Sequence, residues 1–206
     1  MSLKKIWNFI WNDNSIWSWV INIILAFVIV KFILLPLLGF TVGTSIPLVA
    51  VTSGSMDHHG NFDEWWGSKG SWYESRGYTK SQVKSWSLHN GFKKGDVIFI
   101  ASKKSTKTGD VIVYSGLISG NIPIIHRVVD IKTLENANLY ITKGDANSGF
   151  LKDPRKGVDE EQGIPEQNVL GRAVLKIPFV GWIKILASCS FSSFDKNIEF
   201  LSCMKN

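Results

Sequence analysis

The residue types of a hydrolytic centre occur in this chain in distinctive settings. Ser55 lies in Val51-Thr52-Ser53-Gly54-Ser55-Met56, shortly after a long apolar segment ends, and no other serine is placed like it. A serine hydroxyl is a weak nucleophile by itself, so this placement does chemistry only if the chain also supplies a base and a group that orients the base. His126, in Pro123-Ile124-Ile125-His126-Arg127-Val128-Val129, is the candidate base, because imidazole takes up and returns protons near neutral pH. Asp145 and Asp153, at the two ends of Asp145-Ala146-Asn147-Ser148-Gly149-Phe150-Leu151-Lys152-Asp153, are the candidate orienting carboxylates. Bonded to the far ring nitrogen, such a carboxylate fixes the tautomer and stabilises the imidazolium. Each residue also has an ordinary role: serine after glycine and aspartate after glycine or before proline are common in turns. The combination carries the reading.

These residues need elements to hold them. Ser45 to Thr52 is rich in β-branched and apolar residues and predicts a strand that delivers Ser55 at its end, with Gly54 permitting a sharp turn. Ahead of it, Trp17 to Phe40 is almost wholly apolar, with Lys31 its only charge, and roughly 20 such residues cross a bilayer as a helix. The stretch is longer than the apolar core of a cleaved leader and lacks a small-residue cleavage site, so it reads as an uncleaved anchor. Trp7, Trp11, Trp17 and Trp19 precede or open it, as amphipathic rings do at the headgroup level. Lys31 is expected to snorkel, to pair with another helix, or to mark a span that starts elsewhere. Lys4 and Lys5 keep the N-terminus cytoplasmic under the positive-inside tendency, which sends Ser55 outside.

Residues 57–94 interleave Trp65, Trp66, Trp72, Tyr73, Tyr78 and Trp86 with charges. Thr79-Lys80-Ser81-Gln82 has capping-box spacing, which predicts a short helix from about Ser81 to Leu88; another is expected around Asp63 to Ser75. The aromatics of this helical insertion make either a small core of its own or a surface for lipid or substrate. Beyond it come short β-rich runs: Asp96 to Ala101, Asp110 to Ser115, Ile122 to Ile131, Leu139 to Thr142 and Val169 to Ile177. They predict a mainly β domain. Gly95-Asp96-Val97-Ile98 and Gly109-Asp110-Val111-Ile112 look like a repeat and read as two turn-to-strand starts in one sheet. Ile177 to Leu186 is apolar but too short to span, so an interfacial segment is expected. The tail after it has no clear period.

With 206 residues, the chain holds one anchor and one domain of ordinary size. The expected layout is an N-terminal segment 1–16, an anchor 17–40, a β domain 41–186 containing the insertion 57–94, and a tail 187–206. The net charge of +6 is spread thinly, without a run that would track phosphates, so no nucleic-acid partner is expected. Cys189 and Cys203 lie in the tail, far from zinc-ligand spacing. Asp57-His58-His59 lacks a spaced partner, and no metal or cofactor is expected.

Taken in order, Ser53-Gly54-Ser55-Met56, Gly109-Asp110-Val111-Ile112-Val113-Tyr114, His126-Arg127-Val128-Val129 and Thr142-Lys143-Gly144-Asp145-Ala146-Asn147 behind one N-terminal anchor resemble type I signal peptidases. The resemblance spans about residues 17–186. His126 stands where the bacterial branch has a lysine, as in the archaeal and endoplasmic-reticulum branch. The resemblance implies a signal-peptidase-like β domain with an apolar surface near lipid. It assigns Ser55 as nucleophile, His126 as general base and Asp153 as the essential aspartate, with Asp145 supporting the site. Ser53, with the backbone N–H of Ser55, would line the oxyanion hole. Implied substrates are secretory preproteins cut after small residues, at the lipid bilayer and near the export machinery. Two departures stand out. The proline common two residues after the methionine is absent, since Asp57-His58-His59 follows Met56, and the stretch from Asp145 to Asp153 is longer than usual. Two other readings remain open: an inactive membrane-anchored binding or assembly protein, and a peptidase that matures other surface proteins such as pilin-like precursors.

Overall fold

The computed structural model describes residues 2–116, 123–134 and 137–182, with the side chain of Lys156 excepted. The chain forms two compact units that divide between Ser45 and Ile46.

The first unit is helical. α1 (Leu3–Trp11) is followed by α2 (Ile16–Ile29), capped by Ser15, whose side chain accepts from the Ser18 N–H. Ser18 Oγ donates to the Phe9 carbonyl (2.6 Å) and Asn22 Nδ2 to the Ile10 carbonyl (2.9 Å), satisfying acceptors that the end of α1 would otherwise leave orphaned. α2 widens into a π-turn (Val30–Leu34) and continues as α3 (Leu35–Val42). The cause is Pro36, which has no N–H and whose ring crowds the carbonyl one turn earlier; the wide turn relieves this, with the Leu35 N–H reaching back to Val30. Gly43, left-handed at φ 70°, ends the helix. The continuous helix Ile16–Val42 is long and apolar enough to cross a membrane. Lys31 lies in the π-turn with Nζ 5.4 Å from the ring centres of both Phe27 and Phe32, so two aromatic faces accompany the one charge in the apolar stretch.

The second unit is mainly β. Its strands are β1 (Leu48–Ala50), β2 (Val97–Ala101), β3 (Val111–Tyr114), β4 (Ile124–Thr133), β5 (Asn138–Lys143), β6 (Lys152–Asp153), β7 (Val158–Asp159), β8 (Ile164–Pro165) and β9 (Val169–Ile177). Seven form one sheet in the order β1-β2-β9-β3-β4-β5-β8, and β6 and β7 make a separate hairpin. The sheet pairings are antiparallel, with register shifts at Phe99/Ile100, Val113/Tyr114 and Val128/Asp130, irregularities that bend strands and increase their twist. The repeated Gly-Asp starts are one turn used twice. Gly95 and Gly109 sit at φ 90° and 93°, where glycine has no Cβ penalty. Asp96 and Asp110 each accept from the backbone N–H three residues earlier (2.9 and 3.0 Å).

Between β1 and β2 are α4 (Phe62–Glu74) and α5 (Lys80–Lys84), each opened by a complete capping box, Asn61 with Glu64 and Thr79 with Gln82. α5 is shorter than the sequence predicts, because Ser85 caps it while Trp86 turns inward onto Tyr73 and Tyr78. The insertion is not a separate core. Phe62, Trp65, Trp66, Tyr73 and Val83 bury themselves together with Val129 and Ile141, on one face of β4 and β5. The opposite face packs Ile112, Tyr114, Val128, Tyr140, Val158 and Ile164. β4 therefore separates two buried environments, and alternation sends His126 and Arg127 to opposite ones.

At the C-terminal side, the Gly181 N–H donates to the Gly95 carbonyl (2.8 Å) and Phe179 is exposed. Ile183 to Leu186, the tail, and Cys189 and Cys203 lie outside the described residues, as does Ile122 of the expected strand.

Candidate active site

β1 leads directly to Ser53-Gly54-Ser55, and β4 carries His126. Both Ser55 and His126 line one cavity of about 370 Å³, walled also by Val51, Ile124 and Leu151. Ser55 is partly exposed, whereas His126 is 2% exposed. A methyl group on Gly144 would fall 2.8 Å from His126 Nε2 and 2.8 Å from the Ser55 carbonyl oxygen. Only glycine allows the chain leaving β5 to pass so close to both. Ser53 Oγ is 3.3 Å from Ser55 Oγ, within reach of an oxygen bound at the nucleophile.

The carboxylate on the far side of the imidazole is Glu160. His126 Nδ1 meets Glu160 Oε1 in a short contact. The same oxygen accepts from Tyr114 Oη (2.8 Å) and Thr142 Oγ1 (2.7 Å), and Oε2 accepts from the Leu151 N–H (2.6 Å). Glu160 is fully buried, and these donors compensate an anion that would be costly alone. Burial first, then the Glu160 charge, push the Tyr114 phenol well above its ordinary range, so it remains a donor. With Nδ1 engaged by Glu160, Nε2 is the ring nitrogen left on the Ser55 side.

Neither predicted aspartate occupies that position. Asp145 is fully buried, on the opposite face of the sheet, clamped by Arg127 through Nε (2.9 Å) and Nη2 (2.7 Å) and by His58 Nε2 (3.0 Å). Burial opposes its charge, but the Arg127 guanidinium and His58 overcome this and hold the carboxyl far below its usual range. Arg127 also donates to the carbonyls of Ser87, Leu88 and Gly109. Asp153 caps the 3-10 turn Pro154–Lys156, accepting from the Arg155 N–H (3.1 Å) and meeting Arg155 Nε at 3.4 Å. The expected pairing of His126 with Asp153 or Asp145 is thus replaced by Glu160. The physical reason is the hairpin: β6 turns Asp153 toward Arg155, and β7 brings the chain back beneath the sheet. One sequence signal for Glu160 existed, since it lies two residues beyond apolar Val158 and shares its buried face. The acidic run Asp159-Glu160-Glu161 masked it.

Lys143 is another buried charge that the sequence did not announce. Its Nζ donates to the Gly144 carbonyl (2.9 Å) and lies 4.9 Å and 5.2 Å from the rings of Trp72 and Tyr73. Burial lowers its pKa to about 8. Of Asp57-His58-His59, His58 turns inward to Asp145, and Asp57 and His59 pair at the surface (3.5 Å).

No family model matches the chain. Curated relatives do. The chain is 33% identical over 109 residues to the signal peptidase complex catalytic subunit SEC11 of Colletotrichum graminicola, covering 52% of this chain and 62% of that protein. It is likewise 33% identical over 109 residues to the SEC11 subunit of Candida albicans (52% and 63%) and 33% over 110 residues to that of Sclerotinia sclerotiorum (52% and 62%). The similarity thus spans about half of this chain and somewhat under two thirds of the relatives.

Proposed function

We propose that this chain is a membrane-bound serine endopeptidase that removes N-terminal signal peptides from exported preproteins. The observation that carries the reading is an imidazole shared between one cavity with a serine and a buried carboxylate behind the ring. The similarity to relatives named signal peptidase complex catalytic subunit SEC11 supports signal-peptide cleavage as the activity.

In this mechanism Ser55 Oγ attacks the scissile carbonyl and its proton passes to His126 Nε2. Glu160 holds the Nδ1 proton and stabilises the imidazolium. The oxyanion takes hydrogen bonds from the Ser55 N–H and the Ser53 hydroxyl, each donor contributing about 3 to 4 kcal/mol. His126 then protonates the leaving amine, and a water activated by the same nitrogen hydrolyses the acyl-enzyme. Asp145 serves by clamping the loop that follows β5.

An extended substrate segment adds to β1, an edge strand of the sheet, with alternate side chains directed into the cavity. Its walls of Val51, Ile124 and Leu151 favour small apolar groups. The helix within residues 17–40 anchors the enzyme in the cell membrane, Lys4 and Lys5 keep the N-terminus cytoplasmic, and residues 41–186 work on the outer side, near the export machinery.

The test incubates detergent-solubilised protein with a preprotein and, separately, a pilin-like precursor. Wild type is expected to cut the preprotein after a small residue, with Ser55→Ala and His126→Ala inactive. Preferential cutting of the pilin-like precursor would move the enzyme to another substrate class, and cleavage surviving in Ser55→Ala would overturn the mechanism.

A further inference from the structure

His58 is used by nothing in the mechanism above, yet it lies at the centre of the contacts that hold the nucleophile. Three contacts pin residues 55–58 onto the loop after β5. The Ala146 N–H donates to the Ser55 carbonyl (2.9 Å), the Asp145 N–H contacts Met56 Sδ (3.4 Å), and His58 Nε2 meets Asp145 Oδ2 (3.0 Å). Asp145 is in turn immobilised by Arg127, the neighbour of His126 on β4, and from the helical insertion by Trp65 Nε1 on its carbonyl (2.9 Å) and Tyr73 Oη on its carboxylate (3.4 Å). A chain of direct contacts therefore runs from the nucleophile segment through His58 and Asp145 to the strand that carries the base.

The setting of His58 is specific. Its side chain is 1% exposed and stacks flat on Trp65, with ring centres 4.2 Å apart and planes 5° from parallel. Its Nδ1 is buried without a hydrogen-bond partner among the described residues. A proton on Nδ1 would be an unmet buried donor, so the proton sits on Nε2 and donates to Asp145. Gly91 leaves room for this ring, since a methyl group there would fall 2.6 Å from His58 Cδ2 and 2.2 Å from the Met56 carbonyl. A phenylalanine would fill the slot without an orphaned nitrogen; what it would lose is the bond to Asp145.

We propose that His58 is a positioning residue that, through Asp145, holds the Ser55 segment against the loop shared with His126. Small displacements of a nucleophile lower the rate of its reaction without weakening substrate binding to match.

The inference rests on the peptidase reading, and the experiment separates the two. Full-length wild type, Ser55→Ala, His58→Phe and His58→Gln are compared in detergent for kcat and KM on a preprotein, and for amide exchange at Ala146. His58→Phe keeps the flat ring on Trp65 and removes the donor, whereas His58→Gln restores an N–H near the position of Nε2. His58→Phe should lower kcat about tenfold or more with KM changed less than about twofold, and His58→Gln should recover most of the rate. Exchange at Ala146 should quicken about tenfold in His58→Phe and stay near wild type in His58→Gln. A kcat for His58→Phe near that of wild type, an equal fall in His58→Gln, or unchanged Ala146 exchange would each overturn the proposal. Wild type that cleaves nothing sinks the peptidase reading instead, and the exchange comparison, which needs no substrate, still decides the role of His58.

Discussion

The two faces of β4 carry two buried carboxylates with opposite assignments. On one face Glu160 gathers Tyr114, Thr142 and the Leu151 amide around the imidazole of His126. On the other, Asp145 meets Arg127, with His58 and Tyr73 completing its shell. Burial is complete in both cases. The partners differ: the guanidinium on Asp145 keeps its charge at all relevant pH and so relays no proton, while an imidazole can gain and lose one. The comparison teaches that both faces bury an anion with good donors, and that proton transfer needs in addition an imidazole that lines a cavity with a hydroxyl, as His126 does and His58, with its Nδ1 buried, does not.

Several substitutions would break or sharpen this contrast. The largest effect is expected from Glu160→Gln, which should cut kcat by about 10³ to 10⁴ while leaving the fold in place, because the ring loses its tautomer and orientation; an unaltered kcat would remove Glu160 from the catalytic group. Asp145→Asn should act first on stability, by about 3 to 5 kcal/mol in urea unfolding at neutral pH, since it leaves Arg127 buried without its anion. The folded-state pKa of Asp145 is held below its ordinary 3.8, so its contribution is complete above that value and fades as pH falls toward the lowered folded pKa. Asp145→Asn should therefore flatten the acid limb of the stability curve.

Lys143 gives the alkaline counterpart. Its pKa falls from 10.5 unfolded to about 8 folded, so between these values the unfolded chain binds more protons and stability must rise with pH. The rise attributable to this residue should be about 3 kcal/mol and absent in Lys143→Met, measured by denaturant unfolding from pH 7 to 10.5. The smallest effect is predicted for Asp153→Asn. Asparagine caps as well as aspartate, and the ion pair with the exposed Arg155 is worth under about 1 kcal/mol, so cleavage should change less than about twofold. A large loss of activity would return the third catalytic position to Asp153.

Much of this architecture could be read from local sequence. The helix Ile16–Val42 follows from a long apolar run whose one charge is Lys31, the strands β2 and β3 from Gly-Asp turns before β-branched residues, and the opening of α5 from capping-box spacing. Each of these depends on neighbours a few residues away. Ser55 and His126 were legible as candidates only in combination, through four boxes in order that resemble type I signal peptidases, since a serine after glycine and a histidine in a β-branched run are each ordinary by themselves.

The carboxylate was not. Asp145, Asp153 and Glu160 all sit in short polar stretches, and which of them faces His126 depends on the register of the β6–β7 hairpin and on the alternation along β4 that puts His126 and Arg127 on opposite faces. The same holds for His58, whose burial against Trp65 and Asp145 joins residues far apart in the chain. Hydrophobic period and turn chemistry by themselves determined roughly where the helices and strands form, and the ordered boxes which residues to consider for the site. Only the packing of distant segments decided which charges meet, because an ion buried without its partner is too costly to leave and the fold must bring one to it.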